Sequence, residues 1–229
     1  MIIATVSHES SRGAKDLLGK IESTLENTAK IGEEQPAVIF GPDYGLIVDE
    51  TFSPLSSAQR QAVLKQIKGI SKRFPQTRII PGTMPWIEGQ IMYHSAPMYH
   101  SGRLEREFFK ETDNGESKLA AKYGLTFRKG RSEENNFFIE DRKICYEICG
   151  DHGKQNVTGC FAELIAALDQ NKGFYVSILN DAWRHYGLLT NGLDGVTRAQ
   201  DYSPAELQKL KELPFRTDKE TKYFNLKTQ

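Results

Sequence analysis

Two short apolar runs, Ile2–Val6 and Ala37-Val38-Ile39-Phe40, bracket a stretch in which Leu17, Leu18, Ile21 and Leu25 recur at helical spacing. Runs of that length are strands, and the period between them is that of a helix with one buried face over residues 14–29. The rhythm then repeats. Ser56 or Ser57 caps a second helix whose Val63, Ile67 and Ile70 form one stripe, and Arg78–Ile80 is a third strand stopped by Pro81-Gly82. Past this point hairpins take over: residues 90–98 and 104–110 read as strands joined by the turn His100-Ser101-Gly102. Strands alternating with helices and then with hairpins demand an α/β fold with a mixed sheet covered by helices.

The rest of the chain is read more coarsely. Residues 111–136 are polar and irregular, which predicts a long functional loop. Residues 143–149 and 174–179 predict strands, and residues 159–168 a helix between them. Ser203-Pro204-Ala205-Glu206 has the residues of a helix start. The segment after Leu213 is short and polar. No Pro- or Gly-rich linker divides the 229 residues, so residues 1–229 are read as a single domain.

Composition removes several function classes. Lys and Arg number 30, as do Asp and Glu, so the net charge is zero, unlike a chain that lives on phosphate backbones or on an anionic membrane surface. No apolar stretch approaches the roughly 20 residues that span a bilayer, and the N-terminus lacks a basic leader, so a cytoplasmic protein is expected. The three cysteines, Cys145, Cys149 and Cys160, are too few for a disulfide scaffold, which favours a reducing compartment. His152, His185 and Asp181 lack the spacing of metal ligands. Neither a metal nor a cofactor is expected.

In α/β folds the reactive groups collect beyond the carboxyl ends of strands. Those ends carry Asp43-Tyr44, Lys110-Glu111, Cys149-Gly150-Asp151 and Asn180-Asp181-Ala182-Trp183. A thiol needs a neighbouring base or cation to become a reactive thiolate. A carboxylate can take its proton, and a lysine can stabilise both the thiolate and the oxyanion of a tetrahedral intermediate. A carboxylate, a lysine and a cysteine at separate strand ends are therefore a set suited to covalent acyl chemistry.

Three segments in order carry a family resemblance. Ala37-Val38-Ile39-Phe40-Gly41-Pro42-Asp43-Tyr44, Gly102-Arg103-Leu104-Glu105-Arg106-Glu107-Phe108-Phe109-Lys110 and Lys143-Ile144-Cys145-Tyr146-Glu147-Ile148-Cys149-Gly150-Asp151 resemble the triad strands of the nitrilase, or carbon–nitrogen hydrolase, superfamily. That resemblance implies a four-layer α-β-β-α sandwich that pairs into homodimers or larger homo-oligomers. It implies a Cys-Lys-carboxylate triad that cleaves a small non-peptide amide, carbamoyl or nitrile through a thioester. In its terms Asp43 is the base, Lys110 and the Gly150 N–H hold the oxyanion, Glu116 is the second glutamate, and Tyr44, Asp151, Asn180 and Trp183 line the pocket.

Two features depart from the family pattern. Asp43 stands where the family has glutamate, retracting the carboxylate by about 1.5 Å; a fold-retaining binding protein without turnover is therefore the alternative reading. Ile144-Cys145-Tyr146-Glu147 and Asn180-Asp181-Ala182-Trp183 are similar to the apolipoprotein N-acyltransferase branch, which makes Cys145 the alternative nucleophile and acyl transfer a third reading. Strand register favours Cys149, since it leaves a strand of about seven residues before the nucleophile.

Overall fold

The computed structural model describes residues 2–6, 13–49, 51–130, 135–151, 162–166, 174–179, 185–189, 214–218 and 221–225. The first part runs β1 (Ile2–Val6), α1 (Gly13–Lys30), β2 (Val38–Phe40), α2 (Ser57–Arg73), β3 (Arg78–Ile80), β4 (Met84–Glu88), β5 (Ile91–His100) and β6 (Arg103–Phe109). The second part runs α3 (Glu116–Lys122), β7 (Thr126–Phe127), β8 (Asn136–Ile139), β9 (Arg142–Ile148), β10 (Ala162–Ala166), β11 (Phe174–Leu179), β12 (His185–Leu189), β13 (Pro214–Asp218) and β14 (Thr221–Asn225).

These strands form two sheets. One is nine-stranded, ordered β13-β14-β1-β2-β3-β5-β4 with β6 and β7 also on β5; the other is ordered β12-β11-β10-β9-β8. β1, β2 and β3 pair in parallel, as strand–helix–strand crossovers require. The period-2 alternation of β1 sorts its side chains. Ile2, Ala4 and Val6 face Leu17, Leu18, Ile21 and Leu25 of α1 and Val63, Leu64, Ile67 and Ile70 of α2. Ile3 faces inward with Val38, Phe40, Ile80, Ala96, Met98 and Phe108, packing on Ile144, Tyr146, Ile148 and Leu164 of the second sheet. The described residues thus stack helices on a sheet and that sheet on a second one. This is an α/β sandwich, as expected.

Local chemistry explains the elements. Asp16 in the first turn of α1 and Lys30 in its last suit the helix dipole. α2 starts from a capping box: Gln59 N donates to Ser56 Oγ at 3.3 Å and Ser56 N donates to Gln59 Oε1 at 2.9 Å. The β5–β6 hairpin turns where expected, with Ser101 and Gly102 both at positive φ.

Three expectations are corrected and one strand was not foreseen. Residues 162–166 are not helical: Ala-Glu-Leu-Ile-Ala is a strand paired in parallel with β9, and Leu164 and Ala166 enter the inter-sheet core. A strand buried on both faces shows no alternation to separate it from a helix segment. Residues 111–136 are not one loop, since they hold α3 and β7; α3 buries only Glu116 and Ala120 and so shows no apolar stripe. β4 lies at the sheet edge and contains Pro85, a residue that masks a strand in sequence but is tolerated at an edge. The tail after Leu213 forms the β13–β14 hairpin, and β14 pairs antiparallel with β1. The expected helix start at Ser203 lies outside the described residues. Among the described residues, no helix is long and apolar enough to cross a membrane.

Candidate active site

β2 delivers the first group. After Phe40 the chain turns through Gly41-Pro42 and is clamped to the segment after β3: Gly41 N donates to Ile80 O at 2.9 Å and Thr83 N to Pro42 O at 3.1 Å. Gly82 makes this crossing possible, because its φ is +121° and a Cβ there would meet Pro42 O at 2.5 Å. The clamp sets Asp43 at 1 % exposure and holds Tyr44 at φ +55°. All the hydrogen bonds recorded for the Asp43 side chain fall on Oδ1: Thr83 Oγ1 donates at 2.5 Å, Tyr44 N at 3.2 Å, and His94 Nε2 lies 3.0 Å away.

β6 delivers the cation. Lys110 follows Phe109, and its backbone N donates to His94 O at 2.9 Å, so the lysine is carried in register beside β5. Its ammonium donates to Ile148 O at 2.9 Å and lies 3.7 Å from Glu116 Oε1. Glu116 opens α3; its other oxygen accepts from Asn114 N at 2.6 Å. Lys110 and Glu116 are almost wholly buried.

β9 delivers the thiol. Ile144, Tyr146 and Ile148 point into the inter-sheet core, so strand alternation turns Cys145 to the opposite face. Cys149 would follow Cys145, but the strand has ended. A 3₁₀ turn over Cys149–Asp151 reorients it, with Cys149 at φ +48°. A non-glycine residue there costs roughly 1–3 kcal/mol, a strain found where a site must aim a side chain. Cys149 is a half-buried thiol packed at the rim of the inter-sheet core. Cys145 is 1 % exposed, and its Sγ lies 3.1 Å from Asn136 Oδ1. The alternative nucleophile thus lies on the face of β9 turned away from the inter-sheet core.

The electrostatics converge on the same place. Burial alone would push the Asp43 carboxyl up, but the charge and hydrogen bond of His94, with Lys110 and Thr83, reverse this and hold it below the usual range. Burial likewise opposes the charge on His94, and Asp43 and Glu116 outweigh it, raising the imidazole. Lys110 is raised against its burial by Asp43, Glu116, Asp151 and Cys149. Glu116 is lowered against its burial by His94 and Lys110. Tyr44 is pushed up by burial, then by the charges of Asp43, Glu116 and Cys149, so all of these groups are near neighbours.

The fold thus brings together Asp43, Tyr44, Lys110, Glu116 and Cys149. Asp151 departs from its expected pocket-lining place. Wholly buried, it accepts from Glu111 N at 3.0 Å and from Thr112 N and Oγ1 at 2.7 and 2.6 Å, pinning the segment between Lys110 and Glu116 to the nucleophile turn. Gly150 sits where a Cβ would run into the Asn114 side chain, so that segment closes directly over it. Asn180 and Trp183 lie outside the described residues. His94 and Thr83 were missed by the sequence reading. The signal for His94 was its parity with Ala96 and Met98, which puts an imidazole on the inner face of a strand. Among the described residues, no group of three or more His, Cys, Asp or Glu is disposed to hold a metal ion.

No family model matches the chain, and no curated protein matches it in sequence. Solved structures do match its fold. The NitN amidase from Nesterenkonia sp. AN1 aligns with a TM-score of 0.61 at 16 % identity, covering 91 % of this chain and 98 % of that one. Nit3 from Saccharomyces cerevisiae, a member of branch 10 of the nitrilase superfamily, aligns with a TM-score of 0.56 at 14 % identity, covering 83 % and 82 %. A glutamine-dependent NAD+ synthetase from Cytophaga hutchinsonii aligns with a TM-score of 0.54 at 13 % identity over 73 % of this chain and 30 % of that one. This chain therefore shares the fold of these structures.

Proposed function

We propose that the protein is a carbon–nitrogen hydrolase that cleaves a small non-peptide amide, carbamoyl or nitrile through a thioester on Cys149. The observation that carries this reading is the gathering, at the ends of β2, β6 and β9, of a buried carboxylate, a buried ammonium and a half-buried thiol on a strained turn. For an amide, Asp43 Oδ2 takes the thiol proton and the sulfur attacks the carbonyl carbon. The Lys110 ammonium and the Gly150 N–H hold the oxyanion. Collapse breaks the C–N bond, and Asp43 returns the proton to the leaving nitrogen. The same carboxylate then takes a proton from water, whose oxygen attacks the thioester and releases the acid.

Acrylamide, a small electrophilic amide, tests the nucleophile. One adduct on Cys149 is the expected result of peptide mapping after brief exposure at neutral pH. A chain that stays unmodified at Cys149 while its other thiols react overturns the reading.

The shortened acid favours a second reading, a binding protein without turnover, and lengthening the acid separates the two. Asp43 is wholly buried inside a ring made by Thr83, His94 and the Tyr44 N–H, so an added methylene has to displace that ring. Overpacking of this kind costs about 1–3 kcal/mol. The Asp43→Glu variant is expected to lose about 10²-fold in turnover of a small amide, the scale of one general base. Activity appearing in Asp43→Glu where the natural chain has none would instead establish the binding reading.

A further inference from the structure

His94 has both ring nitrogens turned toward an acid. Nε2 lies 2.7 Å from Thr83 Oγ1 and 3.0 Å from Asp43 Oδ1, while Nδ1, which makes no hydrogen bond among the described residues, lies 3.5 Å from Glu116 Oε1. The ring is buried, backed by Tyr44 at a centroid distance of 4.4 Å, and its strand is tied to Lys110 through the Lys110 N to His94 O bond. The titratable groups around it come from every neighbouring element. Asp43 and Tyr44 lie on the turn after β2, Glu116 on α3 and Lys110 after β6; Tyr146 and Cys149, from β9 and the turn after it, act on Asp43 and on Tyr44 and Lys110. A histidine serving only as a buried polar filler is satisfied by one partner. An acid beside each nitrogen suits a group that keeps a proton on one nitrogen while releasing it from the other, which no amide or hydroxyl does as readily.

We propose that His94 is a positioning residue that holds Asp43 through its Nε2–H and hands its Nδ1 proton to Glu116, so that the base of the site is a pair of carboxylates joined by one imidazole. This rests on the thiol-hydrolase reading. At the start the ring carries a proton on each nitrogen and both carboxylates are ionised. The S–H bond of Cys149 breaks as an O–H bond forms on Asp43 Oδ2. The Nδ1–H bond then breaks as an O–H bond forms on Glu116 Oε1, leaving a neutral imidazole that still donates through Nε2. The total charge is unchanged: one negative charge has moved to the sulfur, beside Lys110, and no imidazolium is left against a neutralised acid. When the leaving nitrogen takes the proton from Asp43, Glu116 returns its own to Nδ1. The 3.5 Å gap is of the kind that tightens when a substrate closes an empty site.

Two measurements test this. In the unaltered protein, ¹⁵N resonances of the His94 ring are expected to report protons on both nitrogens at pH 7.5, above the ordinary imidazole value of 6.5. A single neutral tautomer there overturns the relay, whatever any variant does. The second is the rate of Cys149 alkylation by acrylamide against pH, in the natural chain and in His94→Gln. Glutamine keeps a donor near Asp43 but cannot pass a proton, so the alkylation midpoint is expected to move to higher pH and the rate at pH 7 to fall at least tenfold. A profile indifferent to His94→Gln sinks the relay and leaves the hydrolase reading standing. Failure of acrylamide to modify Cys149 in the natural chain sinks the hydrolase reading itself.

Discussion

Replacing Cys149 by alanine should abolish amide turnover, a loss of roughly 10⁴-fold or more, while leaving the melting temperature within a few degrees of the natural chain. The chemical part of this follows from position. Cys149 is the cysteine that the 3₁₀ turn presents beside Lys110, and its sulfur is the only atom of that side chain that can form a thioester. The stability part follows from burial. The side chain is half-buried at the rim of the core, and alanine at φ +48° suffers the same left-handed strain as cysteine, so little is gained or lost. Cys145 predicts the opposite pattern. It is buried on the other face of β9, so Cys145→Ala should lower the melting temperature, by the equivalent of about 0.5–3 kcal/mol, and leave turnover per folded molecule intact. Turnover assays and thermal melts on the two variants check this together. Turnover that survives in Cys149→Ala but vanishes in Cys145→Ala, with its fold intact, would reverse the assignment.

The strand-end positions of Asp43, Lys110 and Cys149 were legible because each sits where local signals are strong. Asp43 follows an apolar strand and a Gly-Pro stop, Lys110 ends a strand begun by a glycine turn, and Cys149 closes a run of the right length for a strand. What the sequence concealed was whatever depends on long-range packing. His94 lies inside a strand of mostly buried residues, where an isolated histidine reads as part of the core. Its meaning comes from Asp43 and Glu116, which are far from it in the chain and reach it only because β2, β5 and α3 meet. Thr83 is similar: it follows a Pro-Gly stop and gains its role by crossing the Asp43 turn.

The same distinction explains the errors in the fold. α1 and α2 carry one apolar face each, so their periodicity was visible. β10 is covered on its inner face by the facing sheet and pairs in parallel with β9, and its unbroken Leu164-Ile165-Ala166 run fits a buried helix as well as a buried strand. Only the partner strand decides between them. The resemblance put Asp151 in the pocket; the backbone N–H groups of residues 111 and 112 claim it instead.

Lys110→Met should be the most damaging change to the fold as well as to the chemistry. The lysine is 1 % exposed, and its ammonium lies 3.7 Å from Glu116 and within the influence of Asp43 and Asp151. Methionine keeps the volume but removes the cation, leaving buried carboxylates with less compensation, a defect worth about 3–5 kcal/mol. For a chain of this size each kcal/mol is worth about 2–4 °C, so the melting temperature at pH 7 should fall by about 10 °C. Turnover should fall by about 10²–10³-fold, the loss expected for one oxyanion donor. The pH dependence separates this mechanism from simple misfit. Asp43 and Glu116 are held below their ordinary values of 3.8 and 4.5, so their stabilisation is present above those values and is lost as the pH falls through the lowered folded ones. Without the cation those carboxyls rise, and protonating them in the folded state relieves the defect. The raised Lys110 contributes fully at any pH below its unfolded value of 10.5, so nothing on its own account changes between pH 7 and pH 4. The gap in melting temperature between the natural chain and Lys110→Met should therefore be widest near neutrality and narrow toward pH 4. A gap of constant size would mean that methionine merely fits badly, and no gap at all would mean that the ammonium does not neutralise the buried acids.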